Sequence, residues 1–284
     1  MILVTGANSK TGRAVLAALQ TKGAATRALV RREVDMPADE VVQADMADPA
    51  AMQAALAGVD ALYFIAPNMY PDEVALTAAW IAAAKAAGLR RFVYHSVLYP
   101  QIAAMPHHWQ KLRVEEALIQ SGLDFTILQP ASYMQNVLPY LPAMRTQGEY
   151  RVPYSVDAQF TPVDLNDVAS VAARVLLEAG HHGAIYPLAG PQVLSSADMA
   201  AQTALHIGRP VAAAQQALAN WQASNAQLPS YARDTLSAMF AYYDAHGFAA
   251  SSFTLQSLLG RAPSSFTEFL QRELVKNPQM NTDY

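Results

Sequence analysis

The stretch MPHHWQK, residues 105–111, gathers two neighbouring histidines, a tryptophan and a lysine behind a proline. Three readings are open to it. The imidazoles could bind a metal, a histidine with a reference pKa of about 6.5 could deliver a proton near neutral pH, or the segment could simply start a helix. The metal reading is weak and no metal is expected. His107 and His108 are adjacent, point to different faces of a helix and lack a carboxylate at ligand spacing. His107 and Lys111 lie four residues apart, one helical turn, on a shared face. Trp109 is expected to pack, stacked with Arg113 at i+4.

A second stretch, VTGANSKTGRAV, offers phosphate chemistry. It carries Gly6 and Gly12, with Ser9 where a third glycine would complete GxxGxxG, between an apolar run and a helical one. In a strand, tight turn and helix opening a βαβ unit, backbone N–H groups and the helix N-terminus can hold a pyrophosphate without side-chain charge. Asn8, Ser9, Lys10 and Thr11 complete the candidate turn, and a plain strand-to-helix connection is the alternative. The next strand ends in Arg31 and Arg32, where NAD-preferring enzymes place an acid on the ribose 2′-hydroxyl. A guanidinium there suits a 2′-phosphate, and Lys10 could add charge, so NADP(H) is expected over NAD(H), which stays open. Solvated surface arginines beside Glu33 are the bland alternative. Asp45 and Met46 follow the third strand and Ala66 and Pro67 the fourth, at ends that would flank an adenine and its ribose.

These residues need a frame. Apolar runs alternate with helical ones: MILVT, ATRALV, EVVQAD, DALYFIA, RRFVYHSV and DFTILQ, separated by segments such as GRAVLAALQTKG and EVALTAAWIAAAKAAG. The runs are apolar throughout, as in strands with helices on both faces. The pattern predicts an α/β fold: a Rossmann-type doubly wound parallel sheet with a smaller, mostly helical C-terminal lobe. Gly23, Gly58, Gly88 and Gly122 follow helical runs as left-handed caps do. The expected division is a Rossmann domain over 1–155, with 157–190 returning to the sheet through QFTPV and the helix after it, and a substrate lobe over 191–284. In that lobe Ser195 and Asp198 have capping-box spacing.

Composition narrows the function. A net charge of −4 without clustered lysine and arginine argues against nucleic acid. With no cysteine there is no thiolate nucleophile, disulfide framework or Cys-ligated zinc. No apolar run approaches the roughly 20 residues of a membrane span, and the N-terminus lacks a basic leader. A soluble, cytoplasmic protein without a membrane partner is expected; a homodimer is left open.

The chain resembles the NmrA-like branch of the atypical short-chain dehydrogenase/reductase superfamily. The matching pieces, in order, are VTGANSKTGRAV, ALVR, ADM, FIAP, RFVYHSV, KLRVEEALIQSGLDFTILQP, SYMQN, FTPVDLNDVA, YPLAGPQVL, HIGRPV and LLGRAPSSFTEFL. The resemblance implies a Rossmann fold binding NAD(P) and a lobe shaping a small-molecule pocket. Similar members include NAD(P)H-dependent reductases of quinones and conjugated dyes, as well as non-catalytic regulators that sense the nucleotide and bind a protein partner.

The superfamily's reductases use Tyr-x-x-x-Lys on the helix after the fifth strand. Lys111 falls in that element, and His107 stands where the tyrosine would. The resemblance implies that Lys111 hydrogen-bonds the nicotinamide ribose and lowers the pKa of a neighbouring acid, with His107 or Lys111 itself as proton donor. Ser96, ending the fifth strand, would meet the substrate oxygen or bond to backbone. Tyr94 and Tyr99 lack the spacing to replace the phenol. Pro130 and Ala131 would back the nicotinamide. Tyr133, Met134, Asn136 and Phe160, with Leu138, Tyr140 and the MFAYY segment, suggest a pocket for an apolar, planar ligand, although ordinary core is the alternative. An NADPH-dependent reductase of quinones or similar conjugated carbonyls is the expected function. A sugar-nucleotide epimerase would need the absent tyrosine.

Overall fold

The computed structural model describes residues 1–276, with side chains through Leu274. In chain order the elements are β1 (Ile2–Val4), α1 (Lys10–Gln20), β2 (Thr26–Val30), β3 (Glu40–Gln43), α2 (Pro49–Leu56), β4 (Ala61–Phe64), α3 (Glu73–Ala86), β5 (Arg91–His95), α4 (Pro106–Ile119) and β6 (Phe125–Pro130). A 3₁₀ segment (Met134–Tyr140), α5 (Leu141–Gln147) and β7 (Glu149–Val152) follow, then α6 (Leu165–Leu177) and β8 (Ala184–Leu188). The chain continues through α7 (Ser196–Ile207), β9 (Ala212–Gln215), α8 (Leu218–Ser224), α9 (Ser230–His246), α10 (Phe253–Leu259) and α11 (Phe266–Lys276). None of the described helices is long and apolar enough to cross a membrane.

Seven strands pair in parallel in the order β3-β2-β1-β4-β5-β6-β8. This is the doubly wound arrangement, in which strand order reverses between β1 and β4 and ligands bind outside the carboxyl ends at that point. The central strands are apolar because helices cover both faces. β4 is buried at every position, whereas edge strand β3 is mostly exposed. Phe64, Trp80, Phe92, Tyr94, Val114 and Leu118 belong to one buried cluster that also takes in Leu3, Leu62 and Ile127.

Local signals agree with the helices. Thr11, Gly12, Val15, Leu16 and Leu19 form the buried stripe of α1, and Ser9 caps its first turn by accepting the Gly12 N–H. Asp48 and Pro49 start α2, and Ser195 with Asp198 forms a full capping box on α7.

The compact units divide the chain differently from the expected boundary at 155. The first holds Met1–Ala103, His107–Pro130 and Leu165–Leu188; the second holds Ala104–Pro106, Ala131–Asp164 and Ala189–Tyr284, of which residues to 276 are described. Residues 131–164 join the second unit because, past Pro130, Met134, Val137, Leu141, Met144 and Tyr150 pack with Phe266, Phe269 and Leu270 of α11. The strand that returns to the sheet is Ala184–Leu188, not QFTPV, whose Phe160 makes only isolated bridges. Pro187 hides that strand in the sequence, and its edge position is what allows a proline there.

Within the second unit, β7 and β9 form a two-stranded parallel sheet. Asp164, fully buried, accepts from Gln135 and pairs with Arg272 of α11.

Candidate active site

The turn after β1 is built from backbone. Gly6 has φ +56°, a conformation that side chains with a Cβ resist. A Cβ on Gly12 would lie 2.5 Å from the Gly6 carbonyl oxygen and 2.6 Å from the Ala7 backbone, so α1 starts in contact with the turn. Thr5, fully buried, joins the reversal point of the sheet: its hydroxyl donates to the Ile65 carbonyl at 3.0 Å and accepts the Ile65 N–H at 2.8 Å. Asn8, Ser9 and Lys10 are exposed around this turn and Thr11 is buried under it. A pyrophosphate fits such a close-set, dipole-bearing helix start. Arg13, which the sequence reading passed over, donates from Nε and Nη2 to Asn8 Oδ1 at 3.1 and 2.7 Å and from Nη2 to the Asp35 carbonyl, tying the turn to the loop after β2.

Arg31 and Arg32 directly follow β2 and are exposed. Asp45 is exposed and accepts the Ala47 N–H, while the neighbouring Met46 carbonyl accepts Trp80 Nε1–H. Ala66 is buried and Pro67 half-buried past β4. Pro130, at the end of β6, is buried, and its carbonyl accepts the Leu98 N–H.

Helix α4 breaks the rule that a buried stripe is apolar. Its inward residues are His107, His108, Lys111, Val114, Glu115 and Leu118. Lys111 Nζ lies 2.7 Å from Glu73 Oε1, at the first turn of α3, and 3.4 Å from both Tyr94 Oη and the His95 carbonyl oxygen. Tyr94 Oη donates to the same Glu73 Oε1 at 2.7 Å. Glu73 is wholly buried; its Oε2 has no hydrogen-bond partner and sits 4.0 Å from His107 Nδ1. Neither Glu73 nor this role for Tyr94 was legible in the sequence. An acid opening an apolar helical run is an ordinary first-turn residue, and its partner lies 38 positions away.

His107 departs from expectation. Burial above all, then the Lys111 and His108 charges, pushes its pKa down to about 2. The ring is therefore neutral at neutral pH, and a cationic acid titrating near 6.5 is not what this site holds. Burial likewise lowers His95 to about 3 and His108 to about 4. His95 Nδ1 lies 2.6 Å from Tyr63 Oη, and His108 Nδ1 lies 3.3 Å from the Tyr99 carbonyl. Among the described residues no group of three or more His, Asp or Glu could hold a metal.

Ser96 also differs from the expected substrate contact. It is 1% exposed and donates to Glu115 Oε1 at 2.5 Å; Gln129 Nε2 donates to both oxygens of that carboxylate. The end of β5 thus turns this hydroxyl toward α4. Burial raises the Glu115 pKa. Trp109, expected to pack, is 41% exposed on the opposite face of α4.

The expected substrate residues belong to the second unit. Met134 and Phe160 are buried in its interior, with Phe160 edge-on to Tyr243 at 5.4 Å. Tyr133 bridges Val163 and is half-buried, and Asn136 is exposed.

Comparison with known proteins agrees with this frame. The chain is 32% identical over 280 residues to an NAD(P)H azoreductase of Xenophilus azovorans, covering 95% of this chain and 96% of that protein. It is 29% identical over 277 residues to quinone oxidoreductase 2 of Escherichia coli K12, covering 94% and 96% respectively. The solved structure of an Escherichia coli NADPH-dependent quinone oxidoreductase complexed with NADPH superposes with a TM-score of 0.84 at 28% identity, covering 96% of this chain and 100% of that one. The NmrA-like family model matches residues 1–270, and the chain belongs to that family.

Proposed function

We propose that this chain is an NADPH-dependent oxidoreductase that reduces a quinone or a similarly conjugated, apolar small molecule. The observation that carries the reading is the glycine turn closed against α1 at the sheet's reversal point, in a chain whose full-length relatives are named as NAD(P)H and quinone reductases.

The residues divide the work. The α1 N-terminus and the turn from Gly6 to Gly12 would hold the pyrophosphate, with Arg31 at the end of β2 for the 2′-phosphate and Asp45 and Ala66 near the adenosine. Lys111 would reach the nicotinamide ribose by exchanging one of its two 3.4 Å contacts for a ribose hydroxyl while keeping the short one to Glu73. Pro130 would back the nicotinamide. NADPH, when bound, supplies the hydride.

The second requirement of the reaction is a proton, and apart from the Lys111 ammonium the buried polar groups of this cluster do not offer one readily. His107 is neutral, Ser96 donates to Glu115, and Tyr94 donates to Glu73 while burial raises its pKa well above that of a free phenol. A quinone tolerates this, because charge arriving with the hydride is delocalised over the ring system and solvent can complete protonation. An isolated carbonyl would not.

The test is NADPH oxidation followed at 340 nm against a panel of benzoquinones, naphthoquinones and azo dyes. Turnover on at least one quinone is expected. Tight NADPH binding without turnover on any acceptor would instead favour the nucleotide-sensing regulator.

A further inference from the structure

We infer that Glu73 is a positioning residue for the proposed cofactor site: its buried carboxylate fixes the Lys111 ammonium so that the remaining N–H groups can be presented to the nicotinamide ribose. The inference rests on the reading of Lys111 as a cofactor contact.

The geometry is asymmetric in a way a merely structural ion pair would not need. One carboxylate oxygen, Oε1, takes both short contacts, from Lys111 Nζ and Tyr94 Oη at 2.7 Å each. The other, Oε2, is buried without a hydrogen bond. A pair kept for stability gains most when both oxygens are satisfied, and a buried pair is in any case weak support for a fold. Lysine, with four rotatable side-chain bonds, is a poor presenter of a fixed N–H vector unless something holds its head. Here the short bond to Oε1 holds it, and the two contacts at 3.4 Å are long enough to exchange. Glu73 opens α3 and Tyr94 lies on β5, so the ammonium is located by two elements other than its own helix.

The experiment is a double-mutant cycle on the full-length protein with Glu73→Gln, Lys111→Met and the double variant. NADPH Kd is read by fluorescence titration, with kcat, KM for NADPH and the melting temperature measured alongside. Lys111→Met is expected to raise Kd at least ~10-fold and Glu73→Gln ~5-fold, with the double variant no worse than Lys111→Met alone, because Glu73 acts through the lysine. Independent, multiplying losses in the double variant would overturn the inference. So would an unchanged Kd in Glu73→Gln beside a raised one in Lys111→Met, and that outcome leaves the reading of Lys111 standing. No change of Kd or kcat in Lys111→Met removes that reading and the inference with it. If Glu73→Gln does not fold, Glu73→Asp keeps the charge and withdraws it by one methylene. A several-fold rise in NADPH Kd on a folded Glu73→Asp protein is expected, and the wild-type Kd there would overturn the proposal.

Discussion

Two strand ends on the carboxyl edge of the same parallel sheet are built in opposite ways. The turn after β1 is made of main chain, with glycines at 6 and 12, a serine cap and a helix dipole, all within twelve residues. The end of β5 with α4 is made of buried side chains, and its partners come from α3, β4, β5 and β6. A backbone site tolerates variation in the side chains around it but not an added methyl group. A buried polar cluster tolerates small shifts of backbone but not the loss of one charge. The two ends should therefore fail differently.

Acid should expose the contrast most strongly. His95, His107 and His108 have folded pKa values of about 3, 2 and 4, against about 6.5 when unfolded. The unfolded chain thus binds more protons below 6.5, so the stabilisation is complete above that pH and is lost as pH falls toward the folded values. With all three contributing, the loss is steepest between about pH 6 and 4. Chemical denaturation at a series of pH values measures it. The pH profile of kcat should show no step near 6.5 from His107, and such a step would restore it as the acid.

Lys111→Ala comes next. It leaves Glu73 buried and unpaired, a loss of about 3–5 kcal/mol, and NADPH affinity should fall with it. A variant as stable as the wild type in urea would mean that Glu73 finds another partner. Gly12→Ala should cost less stability, about 1–3 kcal/mol as overpacking, while weakening NADPH at least as much as it weakens NADH; comparing the melting shift with the two cofactor titrations checks both parts. Arg31→Glu has the smallest expected effect, no stability change and a fall in the NADPH-to-NADH affinity ratio of about tenfold, ~1.4 kcal/mol. An unchanged ratio moves the 2′-phosphate contact elsewhere, with Arg13 the neighbouring guanidinium to examine.

Legibility followed the range of the interactions. The strands β1 to β6, the glycine turn and the Ser195–Asp198 cap are written in short windows, and the structure has them where the patterns put them. The return of 157–190 to the sheet is made by Ala184–Leu188 and not by QFTPV; Pro187 is compatible with a strand at an edge, and whether β8 is an edge is not a local fact. That residues 131–164 fall in the second compact unit is non-local for a related reason. Their apolar positions identify a core but not whose core it is, and Phe266 and Phe269 lie more than a hundred residues further on.

The sequence by itself determined the α/β class, the glycine turn after the first strand and the family, because each rests on residues close along the chain or on the order of many short motifs. Only the tertiary structure decided the chemistry of MPHHWQK. Burial makes the histidines neutral there, and a carboxylate 38 residues distant takes the lysine, because desolvation and ion pairing depend on what surrounds a group rather than on what precedes it.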